Sequence, residues 1–242
     1  MSKNITFIAT NKYYEELCSD EKPYPASKLL PKWWKDATPY LKNANNPEGT
    51  KIILEEWESN ATFKKCTPML DGITSGYIIP LWSDVLIRKG EVYPEISWRT
   101  RTQPVFEFHG ESSLDMESPE GYYERALKYN NHWHIKTPPG YSVLITTPFA
   151  YPNNPIKQIT AVIDTDKSRH PITLPVWLKK DFDGVLEKGT PVAQVIPFKR
   201  DNWDATFDSY EENELNLYLE KDSKLTLVNN YVKNIWQKKS YK

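Results

Sequence analysis

Three short β-type runs, separated by turn residues, fill residues 138–198 and constrain the fold more than any other stretch of the chain. The first is Pro138-Pro139-Gly140-Tyr141-Ser142-Val143-Leu144-Ile145. The second is Ala161-Val162-Ile163-Asp164-Thr165-Asp166. The third is Gly189-Thr190-Pro191-Val192-Ala193-Gln194-Val195-Ile196. Short aliphatic and β-branched runs bounded by Gly and Pro read as strands. Nineteen Pro against nine Gly favours rigid turns and edge strands, hence an irregular β protein rather than a helical bundle.

The flanking chain supplies further elements. Ile5-Thr6-Phe7-Ile8-Ala9 reads as a first strand. A helix starts at Ser27 or Pro31, with Trp33, Trp34 and Ala37 on its apolar side. Thr67 is placed to cap a second helix, with Pro68 at its first position and Asp71 in its first turn; Gly72 and Gly76 keep it short. Tyr77 to Trp82 reads as a strand, Val85–Arg88 and Glu95–Arg99 as a hairpin, and Val105–His109 as another strand. Gly121 to Lys128 reads as a helical turn or two, and Trp133-His134-Ile135-Lys136 opens the β segment. Leu215, Tyr218, Leu219, Leu225, Val228, Tyr231, Val232 and Ile235 recur at helical spacing, which predicts a C-terminal helix over about 208–238.

Charge narrows the function. Thirty-one basic residues against 32 acidic ones leave a formal net charge of -1, without the electropositive footprint of a nucleic-acid binder. Nucleic acid is therefore not the expected partner. Trp33-Trp34 and Trp203 read as core aromatics, and Lys199-Arg200 as a solvated pair, in preference to a base-stacking surface. No run approaches the roughly 18 to 20 apolar residues of a membrane span, and Met1-Ser2-Lys3-Asn4 does not open a secretory signal. Cys18 and Cys66 are too few for a disulfide framework or a structural zinc site, and reduced thiols are expected.

Several residues invite chemistry. Asp164 and Asp166, two apart, share one face of an extended strand and would there bind a cation or sugar hydroxyls, or activate a water. The competing reading is a turn, in which Asp accepts backbone N–H bonds. Gln194 interrupts an apolar run. If buried it needs partners, either as a structural clamp or as a ligand contact. His132 and His134, two apart, would join His109 or His170 in a divalent-metal site, against a reading of scattered turn histidines. Cys66, next to a helix start, is either an activated thiol or a structural residue. Ser142 lacks the Gly-x-Ser-x-Gly elbow, and no phosphate-binding glycine loop occurs.

Taken together, the Pro-Gly-Tyr strand start, the Ile163-Asp164-Thr165-Asp166 turn and the Gly189-Thr190-Pro191-Val192-Ala193-Gln194 strand resemble the core of the dUTPase and dCTP deaminase superfamily. The resemblance covers about 60 residues. It implies a β-clip over about 133–200, with Asp164 or Asp166 at a deoxyribose and attacking water, and Gln194 near phosphate and metal. Tyr141 joins these three as a candidate ligand contact. The departures are specific. Asp166 is followed by Lys167-Ser168-Arg169, Phe149 stands where the family has an arginine, no Ala-Gly-x-Asp motif is present, and Leu225 to Lys242 contains no glycine. Triphosphate hydrolysis requires charge neutralisation at the phosphoryl oxygens. The family's fold is therefore expected without its chemistry.

A second resemblance spans most of the chain. Pro25-Ala26-Ser27-Lys28-Leu29-Leu30-Pro31-x-Trp33, Cys66-Thr67-Pro68-x-Leu70-Asp71, Lys136-Thr137-Pro138-Pro139-Gly140-Tyr141-Ser142 and the run from Gly189 to Arg200 are similar to a family recurrent in tailed bacteriophages of aquatic bacteria. The expectation is one α+β domain over 1–242: an antiparallel β-rich core with a β-clip-like unit, N-terminal helices packed on it and a C-terminal helix. It would act without catalysis or a required cofactor, binding a viral or host protein or a small ligand in the host cytoplasm or the virion. A divergent nucleotide-processing enzyme and a structural virion component are the alternatives.

Overall fold

The structure, a computed structural model, describes residues 3–52, 60–99, 103–110, 116–207 and 231–242. In chain order the elements begin with β1 (Thr6–Ala9), α1 (Lys12–Leu17), β2 (Tyr24–Pro25), α2 (Lys32–Asp36), α3 (Thr67–Thr74), β3 (Tyr77–Pro80), β4 (Val85–Arg88), β5 (Glu95–Trp98) and β6 (Phe106–Phe108). They continue with β7 (Leu127–Tyr129), β8 (Trp133–Lys136), β9 (Tyr141–Thr146), β10 (Ile156–Gln158), β11 (Ala161–Ile163), β12 (Leu174–Leu178), β13 (Gly184–Leu186) and β14 (Pro191–Lys199).

The strands pair antiparallel throughout these residues. The three runs of 138–198 become neighbours in a five-stranded sheet ordered β11-β9-β14-β3-β2. A four-stranded sheet runs β10-β12-β7-β6, a three-stranded one β13-β4-β5, and β1 pairs with β8. Ile79, Val143, Ile145 and Val195 of the first sheet, Tyr129, Leu174 and Val176 of the second, Val85 and Ile87 of the third, and Ile135 of β8 share one contiguous buried cluster. Each such aliphatic side chain contributes about 1.5–3 kcal/mol on leaving water. The molecule is thus β-rich and antiparallel with few, short helices, broadly α+β.

Local departures from expectation have physical causes. Cys66, not Thr67, is the N-cap residue of α3, and Thr67 and Pro68 open the helix. Gly76 then turns the chain at φ +71°, where an added Cβ would lie 2.0 Å from the Val195 carbonyl oxygen. Only glycine lets α3 and β14 approach so closely. The stretch 121–128 is not helical. Tyr122 bridges to Lys179, and Leu127 onward pairs with both β12 and β6. The predicted helix over 208–238 lies mostly outside the described residues; within them, Tyr231–Ile235 forms a single π-helical turn. No helix among the described residues is long and apolar enough to cross a membrane.

Candidate functional site

Gly140 makes the first polar cluster. It takes φ +81° between Pro139 and β9, and the Tyr141 N–H closes the turn on the Pro138 carbonyl at 3.2 Å. Its own N–H donates to Asp166 Oδ2 at 2.8 Å, and its carbonyl accepts from the Arg200 N–H at 2.9 Å. β11 ends at Ile163, so Asp164 and Asp166 lie in the turn that follows. There the Asp164 carbonyl accepts from the N–H groups of Lys167 and Ser168. Thr165, fully buried beneath this turn, shares a 2.7 Å hydrogen bond with the Thr137 hydroxyl.

Arg200, one residue past β14, closes the cluster. Its guanidinium donates to both oxygens of Asp166, to the Tyr141 carbonyl at 3.2 Å and to Ser142 Oγ at 3.0 Å. Hydrogen bonding to Arg200, with burial opposing and the Gly140 N–H assisting, holds the Asp166 carboxyl far below the usual carboxylate range. The Asp166 side chain is only 2% exposed. A carboxylate this enclosed, with both oxygens occupied, is poorly placed to take a metal or a water. Asp164 differs: its side chain is 59% exposed, it accepts from Ser142 Oγ at 2.6 Å, and it lies 3.2 Å from Arg200 Nη1. Tyr141 borders the cluster, its hydroxyl accepting from Lys3 Nζ, which also sits 4.2 Å from its ring centroid.

Gln194 is elsewhere. It lies within β14, six residues before Arg200 and roughly 20 Å away at about 3.3 Å per residue. It is fully buried, and its amide is occupied by backbone. Oε1 accepts from the Phe149 N–H at 3.0 Å, and Nε2 donates to the carbonyls of Ser75 at 2.7 Å and Gly72 at 3.2 Å. Asp164, Asp166 and Tyr141 therefore come together, while Gln194 acts as a clamp between β14, the end of α3 and the loop after β9.

The candidate metal set of His132, His134 and His109 is not assembled. His132 is buried, stacked on Tyr14 with 3.5 Å between centroids and tilted against Trp82 at 4.9 Å. Its Nε2 finds no hydrogen-bond partner among the described residues, and burial pushes the imidazole down to about 4. His134 Nδ1 is instead 3.0 Å from the His170 carbonyl. The His109 N–H donates to Ala126 and its carbonyl accepts from Arg125. Among the described residues no group of three His, Cys, Asp or Glu side chains is arranged to hold a metal ion. Both cysteines are free thiols; burial, with Glu21 nearby, pushes Cys18 up to about 11.

An open groove of ligand dimensions was not anticipated. A groove of about 860 Å³ is walled by Pro31, Trp33, Tyr151, Pro152, Pro155 and Pro191, with Lys32 and Asn153 at its polar points. Its floor is held from three sides. Gln194 holds the Phe149 amide, Trp33 Nε1 donates to the Ala150 carbonyl at 3.2 Å, and Asn154 Nδ2 donates to the Pro191 carbonyl at 2.6 Å. Trp34 is buried, as a core reading requires, but Trp33 remains 46% exposed and Trp203 88% exposed, against the expectation for both. Trp33 was visible as one of a Trp pair. Its partners across the groove are two distant proline-bearing stretches, 150–155 and 190–191, and no spacing in the sequence joins them.

The chain was compared with protein-family models, curated proteins and solved structures. It matches none of them.

Proposed function

We propose that this protein is a non-catalytic binding module that takes a partner in the groove between Trp33 and Tyr151, and that the Asp164, Asp166 and Gln194 constellation serves to hold the fold. The carrying observation is the contrast between the two places. Asp166 and Gln194 have their hydrogen-bonding capacity taken up by Arg200 and backbone groups. The groove, by contrast, presents an aromatic ring 46% exposed in a site already braced by Gln194, Trp33 and Asn154. Rigid aromatic and proline walls with few polar points suit an extended polypeptide, whose binding then costs little ordering of the receptor. The β-clip reading of 133–200 belongs to this proposal and draws support from the adjacency of β11, β9 and β14. So does a viral protein acting in a host cytoplasm or virion, which rests on the bacteriophage-family resemblance.

The test is a random-peptide library panned on the wild-type protein and on Trp33→Ala, beside a thermal-shift screen of dUTP, dCTP and divalent metals. The proposal expects enriched peptides that Trp33→Ala fails to retain, and no nucleotide-dependent stabilisation. A nucleotide shift abolished by Asp164→Ala would instead place a nucleotide-binding site at Asp164 and count against the groove reading.

A further inference from the structure

The chain leaves β14 through residues 201–207, all of them exposed. Trp203 is 88% and Phe207 96% exposed, and neither ring meets another ring or forms a hydrogen bond among the described residues. Large aromatic side chains bury on the order of 150–250 Å² each when they find a site. Two of them four residues apart on one exposed segment form an unpartnered apolar patch of the kind that marks an interaction surface. The same molecule carries an unpartnered aromatic groove.

Trp203 cannot fill the groove of its own chain. The groove runs from the level of Gln194, which holds Phe149, to Pro191 at the opposite end of β14. At about 3.3 Å per residue this lies roughly 20–30 Å from Arg200. Three residues of fully extended chain from Arg200 to Trp203 cover at most about 11 Å. A second copy has no such restriction.

The charges match as well. The arm carries Asp204, and Asp201, which pairs with Lys199 of its own chain. The segment forming the Trp33 side of the groove carries exposed Lys28, Lys32 and Lys35 against Asp36. Among the described residues Lys32 pairs with Asp36, on the surface, where its side chain is 88% exposed. Such exposed pairs are weak and readily exchanged.

We infer that the groove at Trp33 and Tyr151 receives the 201–207 arm of a second copy of this chain, Trp203 packing among Trp33, Tyr151 and the prolines while Asp204 faces Lys32. The inference rests on the groove being the binding site and names its occupant. Reciprocal exchange of two arms closes a twofold dimer, with each copy contributing an aromatic anchor to the other's site.

Sedimentation velocity across a concentration series decides it, using the wild type, Trp203→Ala, Trp33→Ala and an equimolar mixture of the two variants. Wild type is expected to dimerise, and each variant to dissociate at least tenfold more readily. The mixture is expected to associate more than either variant alone, because the arm of the Trp33→Ala copy meets the intact groove of the other. Trp203 is exposed, so its variant folds regardless, and circular dichroism verifies Trp33→Ala. A wild type monomeric throughout, a dimer indifferent to Trp203→Ala, or a mixture that does not recover association overturns the inference. If association ignores Trp33→Ala while library peptides still require Trp33, the groove is a binding site and the arm is not its ligand. If neither depends on Trp33, the groove reading falls with it.

Discussion

The guanidinium of Arg200 binds both oxygens of the Asp166 carboxylate, Nη1 meeting Oδ1 at 2.8 Å, while the Arg200 backbone N–H reaches the Gly140 carbonyl at 2.9 Å. One residue thus ties the end of β14 to the turn before β9 and to the turn after β11. Two carboxylates that look catalytic in a strand are, in the turn that actually forms, the fastening of three chain segments.

Arg200→Ala is expected to lower the melting temperature more than Asp166→Asn, because it strands a carboxylate only 2% exposed. Arg200→Lys should recover little, since an ammonium cannot span both oxygens. The pH sign follows from the depressed Asp166 pKa. Its stabilisation is complete above the ordinary carboxylate value of about 3.9 and is lost as pH falls through the lower folded-state value. Melting curves of wild type and Asp166→Asn should therefore converge on strong acidification and separate above about pH 4.

His132 gives a separate acid sensitivity. Its folded pKa of about 4 lies below its ordinary value of 6.5, so the neutral ring favours folding. That contribution is fully present above about pH 6.5 and is lost as pH falls toward 4. It amounts to about 3 kcal/mol at 1.36 kcal/mol per unit. His132→Phe keeps the stacking on Tyr14 and removes the titration. Urea unfolding from pH 7 to pH 4 should show a flatter stability profile for the variant.

Gln194→Glu is nearly isosteric, yet it replaces the Nε2 donor with an oxygen facing the Ser75 and Gly72 carbonyls. A loss of about 3 kcal/mol or more is expected, above the about 1–3 kcal/mol for leaving one buried group unsatisfied. Gln194→Ala should cost a similar amount through its cavity and unpaired groups. Because Gln194 Oε1 also holds the Phe149 N–H, Gln194→Ala should weaken peptide binding in the groove without touching a ligand, whereas Gln194→Glu keeps that acceptor. Denaturant midpoints and peptide affinities measured on the same samples check this.

Gly76 and Gly140 separate two kinds of glycine requirement. Both have positive φ, but only at Gly76 does an added Cβ strike backbone, 2.0 Å from the Val195 oxygen. Gly140→Ala should cost about 1 kcal/mol, the left-handed penalty alone. Gly76→Ala should cost clearly more, because α3 and β14 must separate. Chemical denaturation of the two variants gives the comparison.

The strands that sequence reading recovers are those punctuated by glycine and proline. β9 starts after Gly140, β14 follows Gly189-Thr190 and opens on Pro191, and the β4–β5 hairpin registers Arg88 against Glu95. β12 escaped because Pro175 within its run argues against a central strand, yet it lies between β10 and β7. The stretch 121–128 misled because Glu124, Arg125, Ala126 and Leu127 favour a helix locally, while pairing with β12 and β6 overrides that preference. Arg200 read as one of a solvated basic pair. Its place just past the 189–199 run and the paired aspartates Asp164 and Asp166 were the available signals. The groove had none, since Trp33, Tyr151 and Pro191 meet only through the tertiary fold.

The most direct measurement is the affinity of library-selected peptides for the wild-type protein, Trp33→Ala and Asp164→Ala. The account predicts at least a tenfold loss for Trp33→Ala and wild-type affinity for Asp164→Ala. Ligands that ignore Trp33→Ala but are lost with Asp164→Ala would contradict it and return the binding function to the exposed carboxylate of Asp164.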